Sequence, residues 1–162
     1  MSVERPVRVG VVGAGDASDA EYAAARSLGA ALAAAGAVVV CGGRGGVMEG
    51  AARGAAEAGG LTLGILPGGL AAEANAWISL PLPTGMGEAR NALVVRAAEA
   101  VVAIGGGWGT LSEIALARKM GIPVATLGAP PAGGLDLPQV DSPEAAASWA
   151  LRRVAEGRRA RP

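Results

Sequence analysis

Three short glycine-rich segments carry most of the chemical potential of this chain: Gly13-Ala14-Gly15-Asp16, Gly42-Gly43-Arg44-Gly45-Gly46 and Gly105-Gly106-Gly107-Trp108-Gly109. Each follows a short apolar run and leads into a helical pattern. A turn of this composition lets backbone N–H groups approach an anion, and the dipole of the following helix favours negative charge there. Glycine also merely permits a tight strand-to-helix turn. For one loop the two readings are evenly matched; three loops at strand ends favour a phosphate-bearing small molecule as ligand.

The absences narrow the chemistry. There is no His and only one Cys, Cys41, so a Ser-His-Asp or Cys-His nucleophile, a Cys/His zinc site and a disulfide are all excluded. No metal site and no cofactor are expected. The first loop reads G-x-G-x-x-S and lacks the third glycine of the dinucleotide fingerprint. The second strand ends in Val40-Cys41-Gly42, without the acid that would hold a ribose hydroxyl, which disfavours NAD. Neither a P-loop nor a G-x-S-x-G elbow occurs, which removes the P-loop NTPases and the α/β-hydrolases. The single lysine, Lys119, sits in Ala117-Arg118-Lys119-Met120-Gly121, where it complements a helix C-terminus; a pyridoxal-phosphate lysine decarboxylase is not expected.

The elements that must position these loops follow from the apolar pattern. The chain has 162 residues, 51% hydrophobic and 17% charged, which is one globular domain. Gly and Ala fill 65 of the 162 positions, a composition suited to close packing of helices against a sheet. Strands are predicted at 7–12, 37–41, 61–66, 100–104 and 123–127, with a short one at 77–80. Helices are predicted at 18–35, with capping-box spacing in Ser18-Asp19-Ala20-Glu21, and at 47–58, 87–99, 110–120 and 142–156. The segment 128–140 reads as a loop and the basic tail 157–162 as frayed. Strands alternating with helices imply a single doubly wound, Rossmann-like α/β domain spanning 1–162. Its sheet is expected to be mostly parallel, with helices on both faces. The net charge is zero, so no nucleic-acid partner is expected. The tail arginines Arg152, Arg153, Arg158, Arg159 and Arg161 read as a solvated helix end. With no membrane-length apolar run and no signal-peptide pattern at the N-terminus, the expected location is the cytoplasm.

Two longer segments go further. Gly42-Gly43-Arg44-Gly45-Gly46-Val47-Met48-Glu49-Gly50-Ala51-Ala52 resembles the G-G-x-x-G-x-M-x-x-x-A motif of the Lonely Guy (LOG) family, once widely labelled lysine decarboxylases. Gly85-Met86-Gly87-Glu88-Ala89-Arg90-Asn91, followed by Gly105 to Glu113, resembles that family's second conserved region. The resemblance covers residues 7 to about 127. It implies binding of a nucleoside 5′-monophosphate such as AMP and hydrolysis of its N-glycosidic bond to free base and ribose 5-phosphate. It also implies Arg90 and Glu113 as catalytic residues, phosphate on Gly106, Gly107, Gly109 and Thr110, and a homodimer or larger homo-oligomer. Gly13, Gly15, Gly42, Gly43, Gly45, Gly46, Met86, Asn91, Gly105 and Trp108 complete the candidate ligand site.

The chemistry is consistent with these residue types, since a carboxylate can stabilise an oxocarbenium-like transition state and orient water. Thr110-Leu111-Ser112-Glu113 is equally a capping box, in which Glu113 would bond back to the Thr110 N–H. Arg90 reads otherwise as a solvated helix-face cation, and Trp108 either covers a ligand or packs. The sequence departs from LOG enzymes in carrying Arg90-Asn91 for their usual Arg-Lys, Gly105 for their Pro, and no His before the Arg. In these forms it looks closer to a sister branch that includes molybdenum-cofactor carrier proteins, which hold a phosphate-bearing pterin without turning it over. A non-catalytic carrier is therefore the alternative to a phosphoribohydrolase.

Overall fold

β-branched runs alternating with Ala-rich helices build a seven-stranded, wholly parallel sheet in the order β4-β3-β2-β1-β5-β6-β7. The computed structural model describes residues 3–160. The strands are β1 (Arg8–Gly13), β2 (Val38–Cys41), β3 (Thr62–Leu66), β4 (Leu80–Pro83), β5 (Ala100–Ile104), β6 (Val124–Leu127) and β7 (Gln139–Val140). The helices are α1 (Asp19–Ala34), α2 (Val47–Glu57), α3 (Asn91–Ala97), α4 (Trp108–Met120) and α5 (Pro143–Arg159). The chain is a single Rossmann-like α/β domain, as its periodicity implies.

Every residue of β5 is buried, because helices cover both faces. On one face Val9, Val39, Val102 and Ile104 pack with Leu28 and Leu32 of α1, Ala51 of α2 and Ala150 of α5. On the other, Val12, Val40, Val101 and Ala103 pack with Val94 of α3 and Ile114 of α4. The glycines serve helix–helix packing as well as turns. A Cβ at Gly50 of α2 would stand 2.7 Å from the Tyr22 carbonyl of α1, and one at Gly29 or Gly54 would overlap the Ala51 or Arg26 carbonyl.

Four expectations are corrected. The short strand lies at 80–83 rather than 77–80, because an edge strand accepts Pro81 and Pro83 at positions that face outward. The helix expected over 87–99 opens as a 3-10 turn, Gly87–Arg90, with α3 ending at Ala97. The loop at 128–140 contributes β7. The tail does not fray at Gly157: α5 runs on to Arg159. Arg158 anchors it by donating to both Glu99 carboxylate oxygens, at 2.8 and 2.9 Å, and to the carbonyls of Arg5 and Pro6. The last residues, 161–162, lie outside the described part. Among the described residues no helix is long and apolar enough to cross a membrane.

The strand order reverses between β1 and β5, which are neighbours yet lead to opposite edges of the sheet. In such sheets the crevice at the carboxyl ends of these two strands is where ligands bind. Gly13 and Ile104 end their strands side by side there.

Candidate functional site

At that crevice lies a cleft of about 250 Å3, lined by Gly13, Ala14, Gly15, Met48, Glu88, Arg90, Asn91, Gly107, Gly109, Thr110 and Glu113. It is somewhat smaller than the ~300–1,000 Å3 of pockets for drug-sized ligands. It has room for a phosphate and an attached sugar, and a bulkier group would project over the rim.

The floor is the start of α4. The N-cap is Gly107, and no side chain caps the helix. The Leu111 N–H already donates to the Gly107 carbonyl, so the N–H groups of Trp108, Gly109 and Thr110 precede the intrahelical ladder and stay free. Two glycines shape this turn. Gly106 has φ +101°, and a Cβ there would run into the Thr110 side chain. Gly105 has φ +54°, which proline, fixed near −65°, cannot adopt; the proline usual in LOG enzymes is thus incompatible with this turn.

The capping box read at Thr110-x-x-Glu113 does not form, because α4 begins two residues before Thr110. Glu113 is instead 7% exposed in the cleft. Burial pushes its carboxyl up from 4.5 to about 7, a rise that Arg90 opposes and Glu88 reinforces. Neither a hydrogen bond nor an ion pair reaches this carboxyl among the described residues. A buried, unpartnered carboxyl in the same cleft as free backbone amides is an arrangement that a ligand would complete.

Arg90 is no solvated surface cation. It is 7% exposed, and its Nε donates to the Ile65 carbonyl at 2.9 Å and its Nη2 to the Gly42 carbonyl at 3.4 Å. Its Nη1 donates to the Asn91 amide oxygen. Asn91 Nδ2 passes the chain on to Ser112 Oγ at 3.2 Å, and Ser112 Oγ donates to the Gly109 carbonyl at 2.6 Å. One continuous network therefore joins the ends of β2 and β3, the start of α3 and the first turn of α4. Asn91 both accepts and donates in it; a lysine, the usual LOG residue there, has no acceptor.

The second glycine loop forms the wall behind this network. A Cβ at Gly42 would come within 2.7 Å of Arg90 Nη2 and of Met48 Sδ. A Cβ at Gly46, which has φ +64°, would overlap the Ala14 carbonyl, one at Gly43 would meet Leu66, and one at Gly45 would stand 3.4 Å from the Gly15 carbonyl. These four glycines, like Gly105 and Gly106, support the cleft from outside its lining. Met86 and Trp108 point elsewhere: they are 49% and 87% exposed, and Trp108 borders a neighbouring groove with Ala89, Ala92 and Leu116. Met48 and Glu88 do line the cleft although neither was singled out. Both stand inside the two motifs, but their spacing alone marks Met48 as core and Glu88 as helix surface.

The sequence pattern of the SLOG cluster4 family matches residues 6–150. The chain belongs to that family. An uncharacterized protein of Archaeoglobus fulgidus is 39% identical to this SLOG cluster4 protein over 90% of the chain and 95% of its own length. Among solved structures, the molybdenum cofactor binding protein of Rippkaea orientalis superposes with TM-score 0.86 at 34% identity, covering 93% of this chain and 98% of that one. The molybdenum cofactor carrier protein of Chlamydomonas reinhardtii superposes with TM-score 0.84, also at 34% identity, over 93% and 99%. The LOG-like sister branch inferred from Arg90-Asn91 and the all-glycine loop is thus borne out.

Proposed function

We propose that this SLOG cluster4 protein binds and carries a phosphate-bearing small molecule, with the molybdenum cofactor as cargo, and does not turn it over. The observation that carries this reading is the use made of Arg90. Each of its three nitrogens donates one hydrogen bond to a protein acceptor, which engages three of its five N–H groups, so it braces the phosphate turn through Asn91 and Ser112. A hydrolase of the LOG type would need the guanidinium free to follow the substrate rather than fixed in this network. The cargo's phosphate sits on the free amides of Trp108, Gly109 and Thr110, where the α4 dipole favours an anion. Gly15 allows close approach from the opposite wall, while a Cβ at Gly13 would run into the Ile104 carbonyl and Val47, so that glycine serves packing. The pterin extends over the rim, and the metal end remains accessible for transfer. Likeness to cofactor-binding and carrier proteins over nearly the whole of both chains supports the same cargo.

The test is to purify the protein from cells that make the cofactor, oxidise the denatured sample and look for the fluorescent pterin. Expected is near-stoichiometric pterin in the wild type and little in Gly106→Val. Absence of pterin together with failure to bind the cofactor on titration overturns the reading.

One observation favours a second reading, hydrolysis of AMP: Arg90 and Glu113 line the same cleft, and a carboxyl titrating near neutrality suits acid–base work. Incubation with AMP decides this; adenine release above a Glu113→Gln control establishes turnover. We also propose that the protein works as a homodimer or larger assembly, a reading supported by the exposed apolar side chains of Met86 and Trp108. Sedimentation velocity checks it, with a monomer at micromolar concentration counting against it.

A further inference from the structure

The two edges of the sheet are finished differently. Along β4 the Thr84 N–H donates inward to Leu66, so even-numbered residues face β3 and the outward positions fall on Pro81 and Pro83. Neither has an N–H, and that edge offers no donor to an incoming strand. Along β6 the alternation runs the other way. The Pro123 carbonyl accepts from Val101 of β5, whereas the Thr126 and Gly128 N–H groups donate outward to Pro138 and Val140. Val124 is the next outward residue, and β7 does not reach it, since the ladder pairs only Thr126 with Gln139 and Leu127 with Val140. Pro138 has no N–H to offer the Val124 carbonyl. The carbonyl of Asp136 is taken by Arg118 Nη1 at 2.7 Å. Both main-chain groups of Val124 therefore lack a strand partner on that side among the described residues, an uncommon state for backbone this deep.

They open into a cleft of about 530 Å3 beside β6, bounded by Pro138 above, Arg118 on the α4 side, and Trp149 and Arg152 on the α5 side. Arg153 in its wall is paired with Glu156 at 3.0 Å, while Arg152 has no ion-pair partner among the described residues. The slot is thus cationic, with one apolar aromatic wall. It lies at the amino ends of the strands, the opposite end of the sheet from the cargo cleft.

The geometry points to a strand-addition site: a short, extended, acidic segment of a partner protein pairs with the Val124 edge of β6, its carboxylates meeting Arg118 and Arg152. Backbone hydrogen bonds supply the affinity in this mode of recognition and flanking side chains the selectivity. Only about three residues, roughly 10 Å of strand, fit beneath Pro138, so the contact is weak and reversible. That suits a protein that must meet a recipient or donor with its cargo cleft unobstructed. The inference does not depend on the identity of that cargo.

The test uses the full chain and a fluorescein-labelled peptide of alternating valine and glutamate. It is compared with a lysine-for-glutamate version and with one N-methylated along the pairing edge. Expected are saturable anisotropy with the glutamate peptide, at least about tenfold weaker binding to Arg152→Glu, and loss of binding on N-methylation. Slower hydrogen exchange at the Val124 amide is the direct signature. Equal binding of the N-methylated peptide, unchanged Val124 exchange, or no saturable binding by any peptide overturns the proposal. The N-methylated peptide keeps it open to refutation even if Arg152→Glu misfolds.

Discussion

Two helices of this protein begin with the same pattern, a hydroxyl residue followed three positions later by Glu, and use it in opposite ways. At α1 the Glu21 N–H donates to Ser18 Oγ at 3.2 Å and Glu21 Oε2 accepts from the Ser18 N–H at 2.8 Å, a closed capping box. At α4 the helix starts ahead of Thr110, its first amides are left free, and Glu113 turns into the cleft with no partner. The difference lies in what precedes the pattern. Ser18 has an ordinary extended backbone, φ −65° and ψ 162°, whereas Gly105 and Gly106 take positive φ and bring the chain into the helix early. One helix start closes its donors with side chains and the other leaves them free.

The largest effect is expected from Gly106→Val. A side chain there faces both φ +101° and the Thr110 hydroxyl, so denaturant titration is expected to show a loss on the order of 3 kcal/mol, with ligand binding abolished. The next comes from Glu113→Gln. The native carboxyl holds its proton up to about pH 7, against 4.5 as the ordinary value. The folded state therefore binds more protons than the unfolded state between these values, and this group's contribution to stability falls as pH rises through that window. Glu113→Gln removes the penalty. Its advantage over wild type is expected to grow from pH 4.5, level off above about pH 7, and reach up to about 3 kcal/mol. Glu21→Gln keeps an acceptor for the Ser18 N–H but loses the carboxylate charge at the helix N-terminus, and it is expected to destabilise slightly at neutral pH instead. A Glu113→Gln curve parallel to wild type across pH 4–8 would mean that the two glutamates are equivalent after all.

Ser18→Ala is expected to cost about 1 kcal/mol in denaturant titration, the usual value of a lost N-cap. Thr110→Val removes no cap bond and is expected to weaken ligand binding more than it weakens the fold. Equal stability losses in the two would restore the capping reading at α4.

The fold was legible because strands buried on both faces must be continuously apolar, and Ala100–Ile104 or Val38–Cys41 can be little else. The glycine loops were legible as a candidate site because each gathers at a strand end more glycine than a turn alone needs, whereas Arg90-Asn91 stood out only through the resemblance to the LOG motif. Legibility failed where a short pattern had two physical outcomes. Thr110-x-x-Glu113 spells a cap, and only the positive φ of the glycines before it decides otherwise. Pro81 and Pro83 spell a break, yet an edge strand tolerates them when they face outward. Arg158 belongs to a tail that looked solvated. Its partners Glu99, Arg5 and Pro6 are distant in sequence, and no local pattern reports them.

The smallest effect, and the one that ties the comparison to function, concerns the pH dependence of binding. A phosphate held on the first amides of α4 shares the cleft with Glu113 and Glu88. When Glu113 is ionised it repels that anion; when protonated it does not, and it can donate a hydrogen bond besides. Titration with a phosphate-bearing ligand is expected to show affinity rising by a few-fold, of order 1 kcal/mol, as pH falls from 8 to 6. The phosphate's own second ionisation near pH 6 works in the opposite direction by reducing its charge, so the wild-type trend alone is ambiguous. Glu113→Gln separates the two contributions, since it keeps the phosphate's titration and loses the carboxyl's. Affinity that rises toward pH 6 in wild type but not in Glu113→Gln assigns the effect to this side chain. Identical profiles in both would leave the carboxyl in α4's second turn as remote from the ligand as the one that closes the cap of α1.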